Sequence, residues 1–182
     1  MPVYLDCETT SLDADIGILI AVGLILPEGR EKIFFVSKPE EEKKVLEDLM
    51  KFLEDIKGEE VYVWNSSFDI PFLLSRAIKN DVDASILFQL KIIDLCKFCR
   101  ENLKLSSNKL DEVSKFLGLN KNLKTTGKNM QEFYMTFLRG NTDKKEEIIK
   151  HCMDDVHRLK EVHERIKDYV EIWKRLNFRN NW

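Results

Sequence analysis

The sequence predicts an α/β domain in which helices flank both faces of a mixed five-stranded sheet, with three antiparallel strands followed by parallel strands. Three short apolar runs separated by turn residues open the chain. Segments of strand composition then alternate with segments whose apolar residues recur at helical spacing, a pattern typical of this fold class. The 182 residues contain no linker-like segment, so we expect one domain over residues 1–168 and a basic, aromatic tail over residues 169–182 that packs on it.

The first three strands are expected at Pro2–Glu8, Gly17–Leu26 and Lys32–Val36. Branched apolar residues fill the second run, and Pro27-Glu28-Gly29 marks a turn before the third. Short connections of this kind join antiparallel neighbours. The next segment, Pro39–Ile56, has an acidic first turn and apolar residues every three or four positions, which predicts a helix.

Strands and helices alternate in the rest of the chain. The remaining strands are expected at Glu60–Trp64 and Leu90–Ile93, and the remaining helices at Phe68–Ile78, Leu95–Leu103, Lys109–Leu117, Met130–Leu138 and Asp143 to about Tyr169. Pro71 is compatible with the first turn of its helix, and Gly118 supplies a left-handed C-terminal cap.

Composition excludes several classes of protein. The formal net charge of -3 argues against a protein that holds nucleic acid by bulk charge, since such proteins usually have a pI above about 9. Cys96 and Cys99 lack a second pair of ligands, so we interpret them as buried side chains of a helix. The longest apolar run, residues 16–27, is shorter than the ~20 residues that cross a membrane, and the N-terminus is unlike a secretion signal. We therefore expect a cytoplasmic protein without a membrane partner.

Two acids end the first strand. Asp6 and Glu8 are two positions apart, so their side chains point to the same face of the sheet. Paired carboxylates on a buried strand are costly unless a cation compensates them, and Mg²⁺ or Mn²⁺ prefers carboxylate oxygen. The alternative is a pair of solvated acids at an exposed strand end.

A third acid follows the fourth strand. Asn65 ends that strand, two serines follow, and Asp69 lies where the next helix begins. Helix caps often carry Asp, so a capping role is one interpretation. The carboxyl end of a sheet strand is also where α/β folds place ligands, which favours a site residue.

The long final helix carries a fourth acid within its apolar stripe. The stripe consists of Ile148, Cys152, Leu159, Val162 and Ile166. Asp155 falls inside it and His151 lies one turn earlier on the same side, whereas Asp154 is rotated to the flank. An Asp on an apolar stripe is rarely buried without a partner. His157 and His163 lack this context, and we expect them at the surface or at the edge of a groove.

Three of these segments resemble the motifs of the DEDD, or DnaQ-like, 3′–5′ exonucleases, which have an RNase H-like fold. The segments are LDCETTSL (residues 5–12), NSSFDIPFL (65–73) and HCMDDVHRL (151–159). The Asn of the second segment also resembles the proofreading domains of family B polymerases. Residues 126–141, TGKNMQEFYMTFLRGN, are similar to a segment of stand-alone RNase H-like exonuclease domains of bacteria and archaea. One departure concerns His151, which takes the Tyr position of the Tyr-x-x-x-Asp branch.

The resemblance implies hydrolysis of phosphodiester bonds with two divalent cations, Mg²⁺ or Mn²⁺. It implies that Asp6 binds both ions, that Glu8 and Asp155 bind one and that Asp69 binds the other. His151 is then expected to orient or deprotonate the attacking water.

The same resemblance implies which residues contact the substrate. The 3′ end of a nucleic acid, preferably single stranded, is expected to meet Thr9, Thr10 and Leu12 after the first motif. Asn65 and Phe68 are expected to form a wall of the same site, where base stacking tolerates any sequence. The product is a nucleoside 5′-monophosphate.

Two alternative functions remain open at this stage. An RNase H-like endonuclease or resolvase shares the fold and the first-strand Asp. A degenerate exonuclease fold could instead serve as a nucleic-acid-binding module, although all four acids are present. The residues do not distinguish DNA from RNA and specify no protein partner.

Overall fold

Five strands form one mixed sheet among the residues that the computed structural model describes, which are 1–119 and 130–178. The strands are β1 (Pro2–Thr9), β2 (Leu19–Ile25), β3 (Glu31–Phe35), β4 (Glu60–Val63) and β5 (Lys91–Asp94). Their order across the sheet is β3-β2-β1-β4-β5. β2 is antiparallel to β1 and β3, whereas β4 is parallel to β1 and β5. The predicted mixed sheet is therefore confirmed, with β1 at its centre.

Helices cover both faces of this sheet, as the sequence predicted. Those in the described part of the chain are α1 (Glu42–Asp55), α2 (Ser66–Lys79), α3 (Leu95–Asn102), α4 (Leu110–Phe116), α5 (Met130–Leu138) and α6 (Asp143–Phe178). α1 and α2 pack on one face through residues such as Leu46 and Leu73. α3 and α6 pack on the opposite face through residues such as Phe98 and Leu159.

The alternation of side chains along β1 sets the orientation of its acids. Val3, Leu5 and Cys7 belong to the core under α1 and α2, whereas Tyr4 belongs to the core under α6. Because successive side chains of a strand point to opposite faces, Asp6 and Glu8 share the α6 face with Tyr4.

α6 crosses the sheet at very short range beside these acids. Gly23 of β2 pairs with Asp6 of β1. A Cβ atom on Gly23 would lie only 2.9 Å from the Cys152 sulfur of α6, so a glycine is required for this approach. The Cys152 thiol in turn donates to the backbone carbonyl of Asp6 over 3.8 Å. This close packing brings the N-terminal half of α6 to the end of β1.

Most elements differ from their predicted bounds by one to three residues, and α6 differs by more. α2 begins at Ser66 rather than Phe68, and β5 extends to Asp94. α6 continues to Phe178, well past Tyr169, and passes residues 168 and 169 without a break. The helix continues because its buried side persists, with Val170 fully buried. The division into a domain and a tail remains a prediction, and residues 126–129 and 179–182 lie outside the described residues.

The cysteines and the helices bear on two further expectations. Cys96 and Cys99 are buried on α3, as predicted, and all four cysteines are free. No helix among residues 1–119 and 130–178 combines the length and the apolar composition needed to cross a membrane.

Candidate active site

The two acids of β1 and two residues of α6 meet at one end of the sheet. Glu8 is 8% exposed and His151 is 4% exposed. The Nε2 atom of His151 lies 3.7 Å from Oε1 of Glu8 and 3.9 Å from Oδ2 of Asp155. Ligand atoms of these three side chains all lie within 4.8 Å of one another, and so do those of Asp6, Glu8 and Cys152. β1 and α6 thus form a compact group of metal-ligand type.

His151 contributes a polar atom without a partner. Its Nε2 atom is fully buried and makes no hydrogen bond within the described part of the chain. A buried polar atom of this kind usually indicates a missing water, ion or ligand. Because Nε2 faces the Glu8 and Asp155 carboxylates, a water, ion or ligand bound among these three side chains would give it a partner.

Asp69 reaches the same site from the other face of the sheet. It lies in the first turn of α2, is only 2% exposed, and accepts hydrogen bonds from the thiol and the backbone N–H of Cys7. Asn65, not Asp69, occupies the N-cap position of α2, so the helix-cap interpretation of Asp69 is wrong. The bonds to Cys7 hold Asp69 close enough to both acids of β1 for its charge to raise the pKa of Asp6 and of Glu8.

The four carboxyl groups repel one another and resist ionisation. Burial raises the pKa of Glu8 to about 8, that of Asp69 to about 7 and that of Asp155 to about 6. Burial raises the pKa of Asp6 well above its usual range, and the charges of Asp69, Glu8 and Asp155 raise it further. Carboxylates in this condition favour a bound cation, because its charge compensates both burial and repulsion.

An open groove lies between α2 and the loop after β1, and its lining includes Phe68, the neighbour of Asp69 in the chain. This groove has a volume of about 520 Å³ and includes Leu12, Phe68, Pro71 and Phe72 in its lining; we term it the Leu12 groove. Leu12 is 81% exposed at its edge. The structure therefore brings two of the expected substrate residues, Leu12 and Phe68, to the same groove.

The threonines that follow the first motif shape the loop itself. The Thr9 hydroxyl donates to the backbone carbonyl of Ser11, and the Thr10 hydroxyl accepts from the backbone N–H of Ile18. Their side chains thus already have partners within the loop, so we expect their contribution to substrate binding to come mainly from the backbone.

Asp94 is a residue of the site region that the sequence analysis missed. Its carboxylate accepts hydrogen bonds from the backbone N–H groups of Asn65 and Ser66 and from the Ser66 hydroxyl, and it caps α3 through Lys97. These bonds support Asn65 in a left-handed conformation with φ of 70°. The signal was present, because Asp94 lies at the carboxyl end of a parallel strand, where α/β folds place ligands.

A buried ion pair between Arg76 and Glu42 holds the loop after β1, and the sequence analysis did not predict it. Arg76 of α2 donates through Nε and Nη2 to the Glu42 carboxylate and through Nη1 to the carbonyl of Ala14, in the loop after β1. Glu42 also accepts from the backbone N–H of Leu19, at the start of β2. Both charged side chains are almost fully buried, so this pair fixes the base of the Leu12 groove.

One histidine prediction is wrong. His163 is not at the surface: it is buried, its Nδ1 pairs with the Tyr4 hydroxyl at 2.8 Å, and its ring stacks on Tyr62. The helical pattern counted only apolar residues as core, whereas two tyrosines of the sheet provide a partner for an imidazole. His157 is exposed, as expected, and pairs with Glu31.

Comparisons with known proteins agree with this architecture. The family model described as RNase_H superfamily matches residues 3–167. Among solved structures, the fold is similar to the family B DNA polymerase from the hyperthermophilic archaeon Pyrobaculum calidifontis, with a TM-score of 0.77 and 18% identity. That match covers 91% of this chain but 24% of the polymerase chain, so this chain spans about a quarter of that protein. No curated protein matches the sequence. The resemblance to family B polymerases is thus confirmed for the fold.

Proposed function

Because the chain belongs to the RNase H superfamily, we propose that it is a metal-dependent exonuclease that hydrolyses DNA or RNA from the 3′ end. Each step would release a nucleoside 5′-monophosphate. The observation that carries this proposal is the convergence of four carboxyl groups, from β1, α2 and α6. Burial raises the pKa of every one of them, and the charges of the other acids raise those of Asp6 and Glu8 further. Four acids in one small volume serve no purpose in packing, but they suit divalent cations that bind phosphate oxygens.

The donor set fits two divalent cations, Mg²⁺ or Mn²⁺. Asp6 is central and would contribute to both ions, Glu8 and Asp155 to one, and Asp69 to the other. Such ions neutralise charge on the phosphate and lower the pKa of a bound water. With such ions bound, the carboxylates of this chain would hold and orient the substrate phosphate. The unpartnered Nε2 atom of His151 adds a polar group at the Glu8 side.

His151 is suited to managing the attacking water. Burial lowers its pKa, so the ring is neutral near pH 7 and can accept a hydrogen bond or a proton. Its Nε2 atom faces the space between Glu8 and Asp155. We expect His151→Ala to lower the turnover rate by about 10²–10⁴, the range for loss of a general base. An unchanged rate would make the histidine purely structural.

The Leu12 groove is the proposed site of the terminal nucleotide. Leu12 and Phe68 offer apolar surface to a base or a sugar, and Asn65 lies at the turn that leads into the groove. Stacking on such side chains tolerates any base, so we expect little sequence preference and a preference for single-stranded ends.

The four free cysteines suit the reducing cytoplasm, which is where we propose that the enzyme acts.

End-labelled DNA and RNA, single and double stranded, test this proposal in the presence of Mg²⁺ or Mn²⁺. Stepwise shortening from the 3′ end is expected, and a 3′-blocked end should stop it. We expect Asp155→Asn to abolish this activity. Asp154→Asn is the matched control, because Asp154 pairs with Lys150 on the flank of the same helix and should retain most of the rate.

Three results would replace the proposal. Cleavage of a circular substrate would indicate an RNase H-like endonuclease or resolvase. Metal binding by calorimetry without turnover of any substrate would indicate a binding module. Full activity of Asp155→Asn would show that the acid cluster is not the active site.

A further inference from the structure

A second exposed apolar surface lies on the C-terminal half of α6, far from the acid cluster. Tyr169, Ile172 and Leu176 are 69%, 56% and 66% exposed. Their spacing of three and four residues places them on one side of the helix. They begin 14 residues beyond Asp155, which is roughly 20 Å along a helix.

This stripe is continuous with an apolar groove. The groove has a volume of about 780 Å³, and its lining includes the stripe itself and the side chains of Phe98, Leu103, Leu117 and Trp173; we term it the α6 groove. An exposed apolar patch that adjoins a groove and has a charged rim often marks a protein–protein contact.

Two exposed charges run along the outer edge of the stripe. With Tyr169 and Leu176 at a positions of a heptad and Ile172 at d, Asp168 and Arg175 both fall at g. Charges at such flanking positions select the orientation and register of a partner helix. One acid and one base, seven residues apart on the same edge, form a self-complementary pattern.

We propose that this face is a homodimer interface, in which α6 pairs antiparallel with α6 of a second copy about a two-fold axis. Placing Tyr169 against Ile172 of the partner subunit sets Asp168 opposite Arg175 of the partner subunit. The two-fold axis repeats both contacts, so two ion pairs form at once. The same surface of each subunit is used, which closes the assembly at two chains.

Charge complementarity selects this register over its neighbour. Sliding the partner by one heptad, so that Ile172 meets Leu176 of the partner subunit, would place Arg175 against Arg175 of the partner subunit. Like charges at this edge disfavour that pairing. The α6 groove adds area beside the helix pair, and stable interfaces bury about 1,200–2,000 Å² in total.

Charge reversal followed by analytical ultracentrifugation tests the proposal. The wild-type chain should sediment with twice its mass of 21.5 kDa. Asp168→Arg and Arg175→Asp should each raise the dissociation constant of the dimer by about 10-fold, since two attractive pairs become repulsive. The double variant Asp168→Arg/Arg175→Asp should recover wild-type affinity. Lys167→Glu is the matched control, because this exposed residue faces away from the stripe.

Each further result either supports the homodimer or overturns it. Ile172→Asp, checked for folding by circular dichroism, should give a monomer with its nuclease site intact. A wild-type chain that stays monomeric at about 100 µM overturns the proposal, as does a dimer whose affinity is insensitive to Asp168→Arg or is not restored in the double variant. None of these results depends on catalytic activity, so the proposed function is tested separately.

Discussion

Replacing Glu8 by Gln should stabilise the metal-free protein, and increasingly so as the pH rises. The pKa of Glu8 is raised from 4.5 to about 8 in the folded state. Between these values the folded chain holds a proton that the unfolded chain has released, so the wild type loses stability as the pH rises through this window. Gln resembles the protonated carboxyl and carries no such pH dependence.

The magnitude follows from the size of the shift. About 3.5 pKa units correspond to roughly 5 kcal/mol at full ionisation, since each unit is worth about 1.4 kcal/mol. This value is an upper limit, because the neighbouring acids also change their protonation when Glu8 is replaced. We therefore expect Glu8→Gln to be more stable than the wild type by about 2–4 kcal/mol at pH 9. For a chain of this size, that difference raises the melting temperature by roughly 5–15 °C.

Urea denaturation in the presence of a chelator measures this effect at pH 5, 7 and 9. Wild type and Glu8→Gln should have nearly equal free energies of unfolding at pH 5 and should diverge above it. Glu47→Gln, at an exposed position of α1, is the control and should follow the wild type at every pH. A difference between wild type and Glu8→Gln that is constant with pH would refute the assignment of Glu8 to a strained acid cluster.

Three further predictions concern packing around the sheet, and each is measured by urea denaturation. Gly23→Ala should cost about 1–3 kcal/mol, because its Cβ would meet the Cys152 sulfur at 2.9 Å, and it should weaken metal binding by displacing α6; wild-type stability would contradict this packing. Arg76→Met should lower the free energy of unfolding by about 3–5 kcal/mol, because it leaves the Glu42 carboxylate buried without a positive partner. Arg76→Met/Glu42→Leu should recover most of that loss if burial of an unpaired charge is its cause. Burial lowers the pKa of His163 to about 4, so between pH 6.5 and 4 only the unfolded chain binds a proton at this residue. The free energy of unfolding of the wild type should therefore fall by up to about 3 kcal/mol over this range. His163→Gln should lack this dependence, and parallel pH profiles of the two proteins would contradict the prediction.

The sequence predicted the sheet and its acids because both follow from local periodicity. Alternation along β1 placed Asp6 and Glu8 on one face, and helical spacing placed His151 beside Asp155. Both depend only on residues a few positions apart. Contacts between residues distant in the chain do not follow from local periodicity. The residues near Glu42 give no indication that its carboxylate pairs with Arg76, 34 residues later.

The error at His163 has the same origin. A histidine within a helix looks polar to any pattern that sorts residues by hydropathy, and its burial depends on Tyr4 and Tyr62, which lie more than 100 residues away. Tertiary partners of this kind decide whether a polar side chain is core or surface. Asp94 shows the converse, since its position at a strand end was visible and only its hydrogen-bond partners were not.

The acid cluster also changes the meaning of the chain's charge. A formal net charge of -3 disfavours a protein that grips nucleic acid by attraction alone. Two divalent cations in the proposed site would add four positive charges and make the formal balance +1, with the gain concentrated where a phosphate must bind. Affinity for nucleic acid should therefore depend on the metal and be confined to one end of a strand. In the proposed reaction, a net charge of -3 would favour release of the substrate after each cleavage, because the chain as a whole does not attract a polyanion.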